Sequence, residues 1–210
     1  MPKMISRLAA VLGCVILLGA CNDVFTNKPL FSAADAGADP PLHTGLWVVR
    51  DPDCQFDDSR PAARWPKCAE WTVVRDRQIL GLDAKARTWT SYDYILAAGL
   101  PRIMQVDLRG DPAPFYYQAV EPIRLDPWGK IAEYRQWSIK CGPPPPPAPK
   151  GEKERYLTLQ PLPGLTPAPD ADHPDDCLAQ DEAALRNAAK ASAAWEATPK
   201  VWRWVRDAEG

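Results

Sequence analysis

The groups in this sequence that could carry chemistry are carboxylates, two histidines and a set of cysteines. Acids and one histidine are concentrated in a single short segment, Asp170-Ala-Asp172-His173-Pro-Asp175-Asp176. Clustered carboxylates suit a calcium ion, and a histidine nitrogen extends the choice to zinc. The segment lacks the glycine and the closing glutamate of a calcium-binding loop. We therefore expect a solvated loop here and no bound metal.

Motifs that mark common enzyme classes are absent from the sequence. It contains no Gly-x-Ser-x-Gly, no His-Glu-x-x-His, no phosphate-binding glycine loop and no Cys-x-x-Cys. His43 and His173 lie far apart in the chain, and the 27 acids give no basis for choosing a catalytic pair. We expect a protein that is not an enzyme and holds no cofactor. A hydrolase that uses two carboxylates is the alternative.

The N-terminus has the pattern of an export signal. Lys3 and Arg7 are followed by an apolar run over residues 8–20 and then by Cys21. The run is too short to span a bilayer comfortably, and its layout is that of a secretory signal that is removed from the mature protein. We expect residues 1–20 to form this signal. A signal without lipidation, or an uncleaved membrane anchor, is the alternative.

The end of this signal, Leu18-Gly19-Ala20-Cys21, resembles the lipobox of bacterial lipoprotein precursors. The resemblance implies cleavage before Cys21 and lipidation of its thiol, so that acyl chains anchor the protein in a membrane. In that family, an aspartate directly after the cysteine favours the inner membrane, whereas this chain has Asn22 there. The resemblance thus implies a protein of the cell envelope, anchored in the outer membrane and facing the periplasm.

Four further cysteines are expected to form disulfides. Cys54, Cys68, Cys141 and Cys177 give an even count, which in an exported protein favours disulfides over free thiols. Three pairings are possible, and proximity in sequence favours Cys54–Cys68, which leaves Cys141–Cys177. A zinc site is disfavoured because neither histidine is near a cysteine pair.

Composition and charge exclude some partners. The formal net charge of −2 gives no electrostatic reason for binding nucleic acid or an anionic lipid surface. The 24 prolines limit long helices and central strands, and the nine tryptophans supply a large apolar area. We therefore expect a loop-rich domain of short strands.

The chain after the signal divides into a tether and one domain. Residues 21–42 are rich in alanine, aspartate and proline, and such a composition cannot bury enough apolar surface to order itself. We expect a flexible tether there. Residues 43–210 are expected to form a single β-rich domain held together by the disulfides.

Side chains in the middle of this domain alternate with a period of two. Thr90, Tyr92 and Tyr94 share one face, as do Met104 and Val106 of the next run. This alternation is typical of antiparallel strands with one face in a core. Further strands are predicted over residues 45–50, 70–76, 78–82, 115–125, 130–139, 155–160 and 201–205.

One helix is predicted near the C-terminus, from about residue 175 to 197. Asp175 or Asp176 can cap it, and Leu185, Ala188 and Ser192 form a stripe that should face a sheet. Asp126-Pro127-Trp128-Gly129 is typical of a type I turn. The fold class expected is mainly β (α+β), an antiparallel sheet or small open barrel with one C-terminal helix packed on it.

Three functions fit these features. The one we expect is a non-catalytic interaction module, held by its lipid anchor and presenting tryptophans to an envelope protein. The second is a barrel around a small apolar ligand, since Gly45-Leu46-Trp47 resembles the Gly-x-Trp of lipocalins. The third is a carboxylate-dependent hydrolase of envelope polymers. Nothing in the sequence indicates an oligomeric state.

Overall fold

The computed structural model of the chain describes residues 22–83, 88–108, 114–144, 160–168 and 175–207. In these ranges one α-helix, α1, spans Glu182–Ser192, and two short 3-10 helices span Ala33–Ala36 and Ala62–Arg64. The strands of the described ranges are β1 (Val24–Thr26), β2 (Gly45–Val49), β3 (Trp71–Arg75), β4 (Gln78–Asp83), β5 (Thr88–Ala97), β6 (Arg102–Asp107), β7 (Phe115–Leu125), β8 (Ile131–Ser138), β9 (Leu165–Pro167), β10 (Cys177–Ala179) and β11 (Lys200–Arg206).

Eight of these strands close into an antiparallel barrel. Each strand from β2 to β7 pairs with the next strand along the chain. Strand β11 then lies between β8 and β2 and closes the ring. The prediction of a mainly β fold with one helix near the C-terminus is confirmed, and the barrel is closed rather than open. Closure pairs each of the eight strands on both sides, which removes the exposed edges of an open sheet.

The predicted alternation sets the inner face of this barrel. Tyr94 of β5 lies opposite Val106 of β6, and Trp202 of β11 lies opposite Tyr134 of β8. All four side chains are buried in the cluster that fills the barrel. Because side chains alternate along a strand, the intervening residues face outwards.

The two ends of the barrel differ. At the end that we call the closed end, connections of two to five residues join β3 to β4, β5 to β6 and β7 to β8. Leu42 is buried in the interior cluster at this end and bridges to Ile131. At the opposite end, which we call the mouth end, β8 ends at Ser138 and β3, β7 and β11 begin.

Residues 22–42 belong to the folded domain, so the predicted flexible tether over residues 21–42 is wrong for its described part. Val24 and Phe31 are buried against the outer face of the barrel, and β1 pairs with both β7 and β10. Gln105 of β6 fixes the segment, since its Oε1 accepts from the N–H groups of Leu30 and Phe31 at 2.9 Å each. The few apolar residues suffice because the barrel supplies the surface that they bury.

The helix starts later than predicted. Its N-cap is Asp181, whose Oδ1 accepts a hydrogen bond from the N–H of Ala184 at 2.8 Å. The predicted start at residues 175–177 is wrong because Cys177–Ala179 pairs with both β9 and β1 as strand β10. The helix also ends at Ser192, short of the predicted residue 197.

The predicted apolar stripe of the helix is its buried face. Leu185, Ala188 and Ser192 are buried in the described structure. The indole N–H of Trp137 on β8 donates to the carbonyl of Ala189 at 3.0 Å, which fixes α1 on the outside of the barrel. No helix in the described ranges is long and apolar enough to cross a membrane.

The structure places Cys54 with Cys68 and Cys141 with Cys177, as predicted, with Cα atoms 5.7 Å apart in each pair. The first disulfide closes a loop whose Trp65 packs on the outer face of β2 and β3. The second joins the chain just after β8 to strand β10. Each disulfide therefore fastens one layer that covers the outside of the barrel.

Candidate ligand-binding site

The mouth end of the barrel encloses a cavity of about 490 Å³. Sites that hold small organic molecules span roughly 300–1,000 Å³. The cavity is lined by side chains of β3, β4, β6, β7, β8 and β11 and of the connection before β11. This lining consists of an aromatic floor, a belt of neutral polar groups and a charged rim.

Aromatic and apolar side chains form the floor. Met104 is fully buried there, and the rings of Tyr134 and Trp202 stack with their planes 18° apart and their centroids 6.5 Å apart. Trp47 lies 5.1 Å from Tyr134, ring centre to ring centre. Burial raises the pKa of Tyr134 above its usual range, so its hydroxyl stays protonated. The floor offers flat, uncharged surface.

Neutral polar side chains form the belt, and most can both donate and accept hydrogen bonds. The belt consists of Thr72, Tyr116, Gln118, Gln136 and Ser138. The hydroxyl of Tyr116 lies 3.2 Å from Ser138 Oγ. Burial is the main cause of the raised pKa of Tyr116, the charge of Asp23 adds to it, and the hydrogen bonds with Ser138 and Gln118 oppose it. Tyr116 is therefore a neutral donor at the wall.

Trp202 carries an unsatisfied donor behind the cavity wall. Its side chain lines the cavity and is only 8% exposed, and its buried Nε1 has no hydrogen-bond partner within the described structure. A buried donor without an acceptor costs about 1–3 kcal/mol. Because the N–H itself is buried, an acceptor in the cavity does not reach it.

Lys200 and Glu70 form the charged rim. The ammonium group of Lys200 donates to both carboxylate oxygens of Glu70, at 2.7 and 2.8 Å, and both side chains are about half exposed. An ion pair exposed to this degree contributes about 1 kcal/mol or less. Either partner can therefore exchange the other for a polar group of a ligand at little cost.

None of the predicted site residues that the structure describes lines this cavity. Cys21 and residues 169–174, which include Asp170, Asp172 and His173, are outside the described residues. Asp176 is buried, and its Oδ1 accepts from the backbone N–H of Asp23 at 3.0 Å, which is a structural role. No three His, Cys, Asp or Glu side chains of the described ranges group into a possible metal site.

Sequence reasoning missed a buried pair at the closed end, His43 and Asp126. Nε2 of His43 lies 3.1 Å from Oδ2 of Asp126, and Nδ1 lies 2.7 Å from the carbonyl oxygen of Thr44. Both ring nitrogens thus face oxygen atoms. The ring of Trp204 lies 4.1 Å away, centre to centre.

The predicted turn at residues 126–129 explains the position of Asp126 but not that of His43. The N–H of Gly129 donates to the carbonyl of Asp126 at 3.1 Å, so the turn is confirmed. Oδ1 of Asp126 accepts from the N–H groups of Trp128 and Lys130, at 2.8 and 2.9 Å, which turns Oδ2 towards His43. The turn motif in the sequence therefore indicated the position of Asp126, whereas no motif around His43 indicated that it would be its partner.

The fold and the site together define a closed eight-stranded β-barrel with a polar-belted cavity at one end. This architecture is compatible with a lipocalin-like barrel, the second function considered from the sequence. No family model, no curated protein and no solved structure matches the chain.

Proposed function

We propose that this protein is a lipid-anchored lipoprotein of the cell envelope that binds a small amphipathic molecule in the mouth of its barrel. One observation carries the proposal: a cavity of about 490 Å³ whose wall bears a belt of hydrogen-bonding side chains above an aromatic floor. Interiors of small barrels are usually filled by their own side chains. Here the closed half is filled, and the mouth half retains space and hydrogen-bonding groups.

The lining defines the chemistry of the ligand. The stacked rings of Tyr134 and Trp202 suit a flat apolar body, and the belt suits hydroxyl, amide or carbonyl groups at its edge. An acceptor atom of the ligand meets the hydroxyl of Tyr116 at the wall. At the rim, Lys200 offsets Glu70 and Glu196 adds a negative charge, so an anionic ligand is disfavoured and an uncharged one fits.

Binding without catalysis is part of the proposal. A pair of catalytic carboxylates needs one member whose surroundings favour its protonated form. Of the two carboxylates that line the cavity, Glu70 is instead about half exposed and bonded through both oxygens to Lys200, and Glu196 is also partly exposed. This pairing favours a binding protein over the hydrolase considered from the sequence.

A chemical analysis of the protein purified from its own membranes tests ligand binding. The mature chain is denatured, and the small molecules released are identified by mass spectrometry. We expect one class of uncharged amphipathic molecule from the wild type and from Arg135→Phe, which changes an exposed residue of β8. Ser138→Phe fills the mouth from the same strand and should release none. Equal amounts from all three chains would contradict the proposal.

Anchoring through Cys21 has its own test. Cys21→Ser removes the thiol that the lipobox resemblance assigns to acylation, so the protein should leave the membrane fraction. Membrane attachment and processing that are unchanged in Cys21→Ser would contradict the anchor.

An exposed apolar patch favours a second function, capture of an envelope protein. Ile123, Leu125 and Trp128 belong to one hairpin at the closed end, and Trp128 is 74% exposed. Exposed tryptophans are frequent anchors of protein interfaces. A photo-crosslinker at residue 128 should then trap one defined envelope protein that the same crosslinker at residue 135 does not. Identical products from both positions would exclude this function.

A further inference from the structure

The first described residue after the lipidation site is fixed at the mouth end of the barrel. Asn22 is 3% exposed, and both its carbonyl oxygen and its Oδ1 accept from the N–H of Cys141 at 3.0 Å. Asp23 forms an ion pair with Lys140 at 2.9 Å, and the N–H of Val24 donates to the carbonyl of Ile139. The chain is thus hydrogen-bonded to the end of β8 from its first described residue onwards.

This attachment lies close to the cavity. Ser138 lines the cavity, and Cys141 follows it by three residues, or about 10 Å of extended chain. Phe25 pairs with Tyr116, another residue of the cavity wall. The carboxylate of Asp23 is near enough to contribute to the raised pKa of Tyr116. Asn22 therefore lies beside the mouth, on the same end of the barrel.

No spacer separates Asn22 from an anchor at Cys21. Adjacent Cα atoms are about 3.8 Å apart, so the acylated residue is held within one peptide unit of the folded domain. The opposite end of the barrel lies about 20 Å away, because the eight tilted residues of β8 intervene. Acyl chains on Cys21 enter the bilayer, and the mouth end must follow them to its surface.

We propose that the lipid anchor holds the mouth of the barrel against the membrane, so that the cavity exchanges its ligand with the bilayer. This inference rests on the proposed ligand binding and on the anchor at Cys21. It narrows the ligand to a membrane-dissolved amphiphile with a flat apolar body and a hydrogen-bonding edge. It also turns the closed end, with Trp128, away from the membrane.

The orientation is measured on the mature acylated protein bound to phosphatidylcholine vesicles. One sample carries a fluorescent amino acid at residue 196, on the cavity wall, and another carries it at residue 128, at the closed end. Lipids with a nitroxide headgroup quench fluorophores near the bilayer. We expect at least threefold stronger quenching at residue 196. Equal quenching, or stronger quenching at residue 128, would overturn the inference.

Exchange is measured with prodan, an uncharged naphthalene ketone that dissolves in bilayers. A 20-residue Gly/Ser segment inserted between Cys21 and Asn22 spaces the domain from its anchor by about 25 Å on average. We expect the insertion to slow prodan transfer from vesicle to protein at least fivefold. The same segment appended after Gly210 lengthens the chain without moving the anchor and should leave the transfer rate unchanged.

The affinity for prodan separates the two proposals. If neither chain binds prodan in detergent, the proposed ligand binding fails. If both chains bind it equally well and acquire it from vesicles at the same rate, ligand binding stands and the membrane-facing mouth is wrong. Equal affinities combined with slower transfer to the chain spaced from its anchor support the inference.

Discussion

Three buried tyrosines make the stability of this domain sensitive to alkaline pH. Burial raises the pKa of Tyr94 to about 12, against 10.0 for the exposed group, and raises those of Tyr117 and Tyr134 as well. The folded state therefore holds these protons more tightly than the unfolded state does. Their contribution to stability is complete below pH 10. That of Tyr94 is lost as the pH rises from 10 towards 12.

Tyr94→Phe tests this pH dependence. Without the titrating hydroxyl, the free energy of unfolding should fall less steeply above pH 10, by about 1.4 kcal/mol per pH unit. Below pH 9 the variant should lose about 1 kcal/mol, because the hydroxyl donates to the carbonyl of Asp76 at 3.1 Å. Urea unfolding from pH 8 to 11.5 measures both effects. Parallel stability curves for the two proteins would contradict the assignment.

The buried pair of His43 and Asp126 gives a second prediction at this scale. His43→Ala leaves the carboxylate of Asp126 without its partner in the described structure, with 3% of the Asp126 side chain exposed. Leaving a buried polar group without its partner costs about 1–3 kcal/mol, and more when the group is charged. Glu121→Ala breaks an exposed pair with Arg135 and should cost about 1 kcal/mol or less. Similar losses in both variants, measured by urea unfolding, would show that His43 is not a buried partner.

At the scale of the strands, closure of the barrel depends on a close approach between β2 and β11. Gly45 has a φ of +129°, and a Cβ on it would lie 2.3 Å from the carbonyl oxygen of Arg206. Gly45→Ala should destabilise the protein by about 2 kcal/mol or more through strain and clash. Gly81→Ala, on β4, meets no atom within 4 Å and should change stability by less than about 0.5 kcal/mol. A smaller loss from Gly45→Ala than from Gly81→Ala in thermal unfolding contradicts this closure.

The disulfides act on the outer layers rather than on the barrel ring. In the chain-entropy model, loops with sequence separations of 14 and 36 residues contribute about 3 and 4 kcal/mol. Cys141→Ala with Cys177→Ala should loosen β10 and α1 first, and hydrogen exchange there should rise by at least tenfold. Exchange that rises equally in β4 and β5 would mean that the barrel depends on this disulfide too. Non-reducing peptide mapping checks the pairing itself.

The sequence predicted the barrel strands because their apolar residues alternate over long runs. Strands β5, β7 and β8 each have eight or more residues, and the predicted ranges overlap them closely. Strands β1, β9 and β10 have three residues each, too few for a period, and they exist because neighbours pair with them. The order of pairing, and therefore closure, depends on contacts distant in sequence. The sequence alone therefore could not distinguish a closed barrel with a cavity from an open sheet.

At the scale of the whole molecule, the N-terminal segment is a structural layer. Composition predicted disorder for residues 21–42 because it counts only the segment's own apolar groups. Phe31 and Leu42 find partners on the barrel, and the buried guanidinium of Arg102 donates to the carbonyl of Pro40 and to that of Leu96. A tether would separate the cavity from the anchor proposed at Cys21, whereas this layer would hold the cavity beside that anchor.

Hydrogen exchange tests this layer directly. The amides of Val24, Phe31 and His43 should exchange at least a hundredfold more slowly than unprotected amides, because each donates to a buried acceptor. Lys28 is exposed and should exchange faster. If the whole segment exchanged at the rate of an unfolded peptide, it would be a flexible tether and not a structural layer.

The central claim is that the mouth of the barrel is a ligand site, and a native mass spectrometry titration with prodan tests it most directly. The mature protein, released from detergent in the instrument, should bind one prodan molecule. Arg135→Phe should bind with unchanged affinity, and Ser138→Phe should bind at least tenfold more weakly. Tyr116→Phe removes a donor from the belt and should weaken binding about fivefold or more, which corresponds to a lost hydrogen bond of about 1 kcal/mol. Equal affinity in all four proteins, or no bound prodan in the wild type, would contradict the claim.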